Sequence, residues 1–118
     1  MMNQGAKKAG YVSQPAATDP RSTEAWALSE ASRREMFSTQ TKINSSVSWG
    51  LGVGLQNYGG RQMFWHWGDN GNFKNFVIGN RAKKWAMVIF ANARNGHKIW
   101  ERIVREATGE DHASFLWV

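Results

Sequence analysis

A chain of 118 residues supports one hydrophobic core and is too short for two domains, and its lack of cysteine excludes disulfides, thiolate nucleophiles and thiolate zinc sites. The formal charge of +6 comes from basic residues scattered from Lys7-Lys8 and Arg33-Arg34 to Lys83-Lys84, Lys98, Arg102 and Arg105, which reads as a solvated surface rather than a nucleic-acid interface. Neither a signal-peptide run nor a stretch long enough to span a membrane is apparent, so a soluble, cytoplasmic chain without a membrane partner is expected.

Residues 1–20 are small and polar, punctuated by Gly5, Gly10, Pro15 and Pro20, and read as an irregular arm; residues 21–118 form the single domain. Beyond Pro20, Ser22 or Thr23 can cap a short helix around Glu24 to Leu28, and Ser29 can cap a second from Glu30 to Phe37. Leu28, Ala31, Glu35 and Met36 make no clean apolar stripe, so this second helix should be only partly buried. Thr39 to Ser48 is polar and suits a loop. Trp49-Gly50-Leu51-Gly52-Val53-Gly54-Leu55 alternates large apolar residues with glycine, the pattern of a strand with one smooth face. Asn57-Tyr58-Gly59-Gly60 then turns the chain into a strand from Arg61 to Trp67, and the two should form a hairpin.

The centre of the chain is Phe64-Trp65-His66-Trp67-Gly68-Asp69-Asn70-Gly71-Asn72-Phe73, where a titratable histidine, glycines and tryptophans meet at a strand that runs into a tight turn. A glycine there lets a ligand approach the backbone, and free N–H groups at a strand end can stabilise developing negative charge. Phe73 to Gly79 is the next strand. Trp85-Ala86-Met87-Val88-Ile89-Phe90-Ala91 is a nearly continuous apolar run, the pattern of a strand covered on both faces, expected near the middle of the sheet. A helix follows from about His97 to Thr108, with Ile99, Trp100, Ile103, Val104 and Ala107 at helical spacing and Gly109 as its stop. The apolar tail Phe115-Leu116-Trp117-Val118 needs a partner. The expected fold is therefore α+β: an antiparallel sheet of about four strands, a C-terminal helix packed on one face, and one or two short N-terminal helices.

His66 is either an electrophilic or hydrogen-bonding group beside a reacting carbonyl or a histidine stacked among its aromatic neighbours. Asp69 and Asn70 also have a plain reading as turn formers. His97 and His112 share no metal-ligand spacing with His66, and neither a metal nor a cofactor is expected.

Several of these stretches together resemble the C-terminal part of the serine β-lactamase and penicillin-binding-protein-like hydrolases, especially the class C β-lactamase and esterase branch. His66-Trp67-Gly68-Asp69-Asn70-Gly71-Asn72-Phe73 is similar to that family's K/H-x-G motif and the G-x-F that follows it. Trp49-Gly50-Leu51-Gly52-Val53 is similar to its Y-G-L-G-W strand, and Met87-Val88-Ile89-Phe90-Ala91-Asn92 to its V-V-x-L-x-N strand. Leu28 to Phe37 is similar to the helix that precedes them.

The resemblance implies catalytic-site positions at His66, for the family's lysine or histidine, at Gly68, which keeps the strand accessible, and at Asp69, whose N–H would join the oxyanion hole. Trp67 stands where the family has a small hydroxyl residue. No serine in the chain is followed three residues later by lysine, and no convincing Y-x-N is present, so the nucleophile half of such a site is missing. The chain is accordingly expected to be a stand-alone C-terminal fragment of a serine hydrolase, without catalysis of its own and needing a homo-oligomer or a complementing chain. Members of the family are often periplasmic or secreted. The other reading is a binding module for a small molecule or peptide, using Trp65, Trp67, Asn70 and Asn72, or an oligomeric interaction protein.

Overall fold

A computed structural model describes residues 27–117 of the chain; the expected N-terminal arm and most of the first expected helix lie outside them. The first described helix, α1 (Glu30–Met36), starts where the sequence places it: the Ser29 hydroxyl accepts the Ser32 N–H at 3.0 Å. None of its residues is buried.

Six strands follow, β1 (Thr41–Lys42), β2 (Val47–Trp49), β3 (Gly54–Tyr58), β4 (Arg61–Asn70), β5 (Phe73–Asn80) and β6 (Trp85–Asn92), all antiparallel and in sequential order across one sheet. The α+β class agrees with the sequence, but the strand count is six, not about four. Two local causes account for the difference. Asn44 accepts the N–H groups of both Ser46 and Val47 at 2.8 Å, which folds the polar stretch before Ser48 into a β1–β2 turn. The Trp49–Leu55 stretch breaks into two strands because Gly50 N–H bonds back to Val53 O at 2.8 Å, with Gly52 in the left-handed region at φ 75°.

The alternation along β4, β5 and β6 divides the sheet into two faces. Met63, Trp65, Phe76 and Ile78 point to the face covered by α2 (Trp100–Thr108) and the tail, where Trp100, Val104 and Ala113 complete a buried cluster with Val47. Phe76 stacks on Trp100 at 5.3 Å between ring centroids, and Phe115 reaches Phe76 at 4.8 Å, so Phe115 of the apolar tail finds a partner on this face, whereas Leu116 is 92% exposed. Trp49, Trp65 and Trp117 form a second aromatic knot, with ring centroids between 5.2 and 5.8 Å. Burial of this kind contributes roughly 25 cal/mol per Å² of apolar surface.

The helix face thus holds the core. On the opposite face, Phe37 meets Phe64 at 5.4 Å and the Arg81 guanidinium lies 4.3 Å over Phe37, while Val88 is 54% and Phe90 79% exposed. We call this second side the open face.

Two further expectations are corrected. The apolar run Trp85–Asn92 is the last strand of the six rather than a central one, and it is covered on one face only. Apolar residues on both sides of a strand record that something could cover each face, not where the strand lies in the sheet. The last helix opens as a 3-10 turn, Gly96–Ile99, and becomes α-helical at Trp100. Of its apolar positions Trp100 and Val104 are buried, whereas Ile99 and Ile103 are exposed. It ends as expected at Gly109, left-handed at φ 70°, whose N–H bonds to Arg105 O at 2.7 Å.

Candidate functional site

β4 is longer than β3, and this difference shapes the site. β3 pairs with β4 only as far as Gly54 opposite Trp65, whereas β5 pairs with β4 on to Phe73 opposite Asn70. Beyond Trp65, one edge of β4 therefore has no β3 partner. In an antiparallel ladder each residue turns both backbone groups to the same neighbour, and successive residues alternate. The two-residue loops at Gly59-Gly60 and Gly71-Asn72 set that alternation. Phe64, His66, Gly68 and Asn70 bond to β5, so Trp67 and Asp69 turn their N–H and C=O groups toward the edge that has no strand partner among the described residues.

The His66 side chain projects on the open face and is exposed, in a cross-strand row with Val77 and Val88. Its ring meets the edge of Trp49 at 5.8 Å. Gly68 lies one pleat further on. Other strand glycines are demanded by packing, since a Cβ on Gly54 would collide with the Trp65 indole and one on Gly79 with the Phe64 ring. A Cβ on Gly68 would meet nothing nearer than Asn75 Cβ at 4.0 Å, and its φ is not positive. Neither packing nor dihedral requires glycine at 68; its effect is to leave the backbone beside His66 uncovered. Asn70 is exposed on the same face, and Asn72 is exposed in the turn.

The other sequence-derived site residues face away. Trp65 is fully buried in the core, under the helix face, with no surface for a ligand. Asp69 and Trp67 also point to the helix face. Asp69 accepts the Gly71 N–H at 3.1 Å, the turn-forming role, and is ion-paired with Lys74 directly across the β4–β5 ladder. The Lys74 hydrogen bond, reinforced by its charge, holds the Asp69 carboxyl below its ordinary value.

Lys74 itself is 93% buried by residue and forms, with Trp67, Asp69, His97, Lys98, Trp100, Glu101 and Phe115, the lining of a cleft of about 300 Å³. Lys74, His97, Trp100 and Phe115 are not marked as site residues by the sequence. Strict period-two alternation would have paired Lys74 with Asp69, but the roof from the 3-10 turn and tail is a tertiary feature. The fourth aromatic wall, Trp67, is 37% exposed.

The three histidines are not brought together. His97 borders the cleft, His66 lies on the open face, and His112 is buried against β3. Gln56 Nε2 donates to His112 Nδ1 at 2.9 Å, and Ser114 N–H donates to Gln56 Oε1 at 2.9 Å, which fixes the amide orientation. His112 Nε2 then donates to Thr108 Oγ1 at 3.0 Å, and Thr108 donates to Val104 O at 2.7 Å. All of these hydrogen bonds are compatible with a neutral ring, while the buried Ser114 hydroxyl has no partner among the described residues. Burial is the main cause that pushes the His112 pKa down, with the Arg61 charge adding to it against Glu110 and Asp111. Among the described residues no group of three or more His, Asp or Glu side chains could hold a metal ion.

No protein-family model, no curated protein and no solved structure matches this chain.

Proposed function

We propose that this chain forms the oxyanion side of a β-lactamase-like serine-hydrolase site and does not catalyse acyl transfer by itself. The observation that carries the reading is the overhang of β4. It turns the Asp69 N–H toward an edge without a β3 partner, next to an exposed imidazole and beside a glycine that packing does not require. A backbone donor so placed can bind an oxyanion without reorganising, and His66 can donate a hydrogen bond to the same group. The resemblance of residues 66–73 to the K/H-x-G motif supports the same assignment. The missing S-x-x-K serine accounts for the absence of catalysis.

The reading is tested by titrating 15N-labelled protein with a phosphonate monoester, a stable mimic of the tetrahedral oxyanion. Shifts confined to the Asp69 amide and the His66 ring are expected, and shifts elsewhere without these two refute it. In parallel, a fluorophosphonate probe should leave the chain unlabelled. Labelling would mean that one of its serines is activated, contrary to the proposal.

The second reading, a small-ligand binding module, is favoured by the cleft on the helix face. Its aromatic walls suit a planar group, and Lys98 and His97 offer donors to an anionic one, with Lys74 already paired to Asp69 and Glu101 also on the lining. Benzoate serves as the probe: saturation transfer that disappears in Trp67→Ala supports this reading, and binding unaffected by Trp67→Ala removes it.

A further inference from the structure

We propose that two copies of this chain pair edge to edge through β6, about a two-fold axis that passes beside Val88. The same ladder alternation that exposes the Asp69 N–H operates here. Lys74, Phe76, Ile78 and Asn80 bond to β6, which occupies Ala91, Ile89, Met87 and Trp85. The N–H and C=O groups of Ala86, Val88, Phe90 and Asn92 therefore point to the far edge, where no further strand lies among the described residues.

Devices that normally blunt such an edge are missing from this strand. Trp85–Asn92 holds no charged residue and no proline, spans eight residues, and pairs with β5 without a bulge. Ala86, Val88 and Phe90 on its open face are apolar and exposed, Phe90 the most at 79%, and only the terminal Asn92 is polar there. An edge of this kind is a template for another strand, and the sequence of β6 is complementary to itself.

With Val88 opposite its own copy, Ala86 faces Phe90 of the second copy and Phe90 faces its Ala86 on the open face. On the helix face Trp85 faces Ala91 and Met87 faces Ile89. Phe90 against Ala86 and Trp85 against Ala91 set large residues against small ones, Met87 meets Ile89 as one flexible and one branched apolar chain, no like charges are opposed within the strand, and every opposed pair of outward-pointing residues can exchange both backbone hydrogen bonds. A second copy is favoured over an unrelated strand by this self-matching register. The row His66–Val77–Val88 would then continue through the axis into its symmetry mate, placing two His66 rings on one continuous face. At about 4.8 Å per strand, five steps separate them by roughly 24 Å. The inference does not depend on the hydrolase reading.

The test uses the full chain, which has no native cysteine to interfere. Light scattering at tens of micromolar protein should give twice the 13.3 kDa chain mass. Val88→Lys opposes two like charges at the axis and should halve that mass, with the near-ultraviolet circular dichroism unchanged because Val88 is exposed in the single chain. Oxidised Val88→Cys should form a disulfide-linked pair, since directly opposed Cα atoms lie within disulfide range. Ala86→Cys alone should not cross-link to itself, whereas a mixture of Ala86→Cys and Phe90→Cys chains should. A monomeric wild-type mass overturns the inference, and residues 1–26 or a different protein are then the candidates for that edge. A dimer that survives Val88→Lys, or self-linking of Ala86→Cys, overturns the assigned edge and register.

Discussion

Single residues in this chain are constrained for different reasons, and His112 is the clearest case. The ring must be neutral, because a proton on Nδ1 would oppose the Gln56 amide donor that it now accepts from. Its folded pKa lies below the ordinary histidine value of 6.5, so the unfolded chain takes up the proton first. The contribution of His112 to stability is complete above pH 6.5 and is lost progressively as the pH falls from there through the folded pKa. Urea midpoints measured between about pH 7.5 and pH 5 should decline in the wild type and decline less in His112→Gln. The strand glycines make a second contrast. Gly54→Ala drives a methyl into the Trp65 ring and should cost about 1–3 kcal/mol in urea unfolding, as overpacking typically does. Gly68→Ala has room and should stay within about 0.5 kcal/mol, so that any loss of phosphonate binding reports on the site rather than on the fold. The residues of the His66 turn were legible as a group, because they share a strand. Their division between two faces follows from period two along β4, which turns Trp65, Trp67 and Asp69 to the helix face and His66, Gly68 and Asn70 to the open face.

At the scale of the element, local signals held where the chain itself supplies the partner. Ser29 caps α1, and Gly109 ends α2, because a hydroxyl within reach of a free N–H and a residue without a Cβ at positive φ are decided within one turn of chain. Ser29→Ala removes that acceptor at about 1 kcal/mol; with no buried residue in α1, the loss should appear as faster exchange of the Ser32 and Arg33 amides rather than as a global change. Gly109→Ala forces a Cβ into the left-handed region and should lower the global midpoint by about 1–2 kcal/mol, because the end of α2 is tied to the His112 network. Strand boundaries were less legible. The glycines of 50–54 suit both an extended strand and a turn, and the Gly50-to-Val53 hydrogen bond is what selects the turn.

For the whole molecule, one face of the sheet carries almost all of the packing. Trp65 is fully buried where the main cluster meets the Trp49–Trp117 knot, so Trp65→Ala should cost about 3–5 kcal/mol. That is a large share of the 5–15 kcal/mol typical of a small domain, and loss of the near-ultraviolet signal at modest urea is the measurement that checks it. The open face has no comparable cover beyond Phe37 among the described residues, and both the exposed His66 ring and the exposed Val88 and Phe90 of the proposed dimer edge lie on that side.

By itself the sequence determined the α+β class, the N-cap of α1, the glycine stop of α2 and the composition of the His66 turn, because these depend on contacts within a few residues of chain; it placed a turn on either side of β4 but set them at 57–60 and 68–71, whereas Asn57, Tyr58 and Gly68 to Asn70 lie in strands. Only the tertiary structure decided that β6 ends the sheet, that Trp65 is core while His66 is exposed, and that Lys74 and Asp69 floor a cleft roofed by the 3-10 turn and tail. Those outcomes turn on which strand or helix lies beside a residue, and residues far apart in the chain settle that through packing.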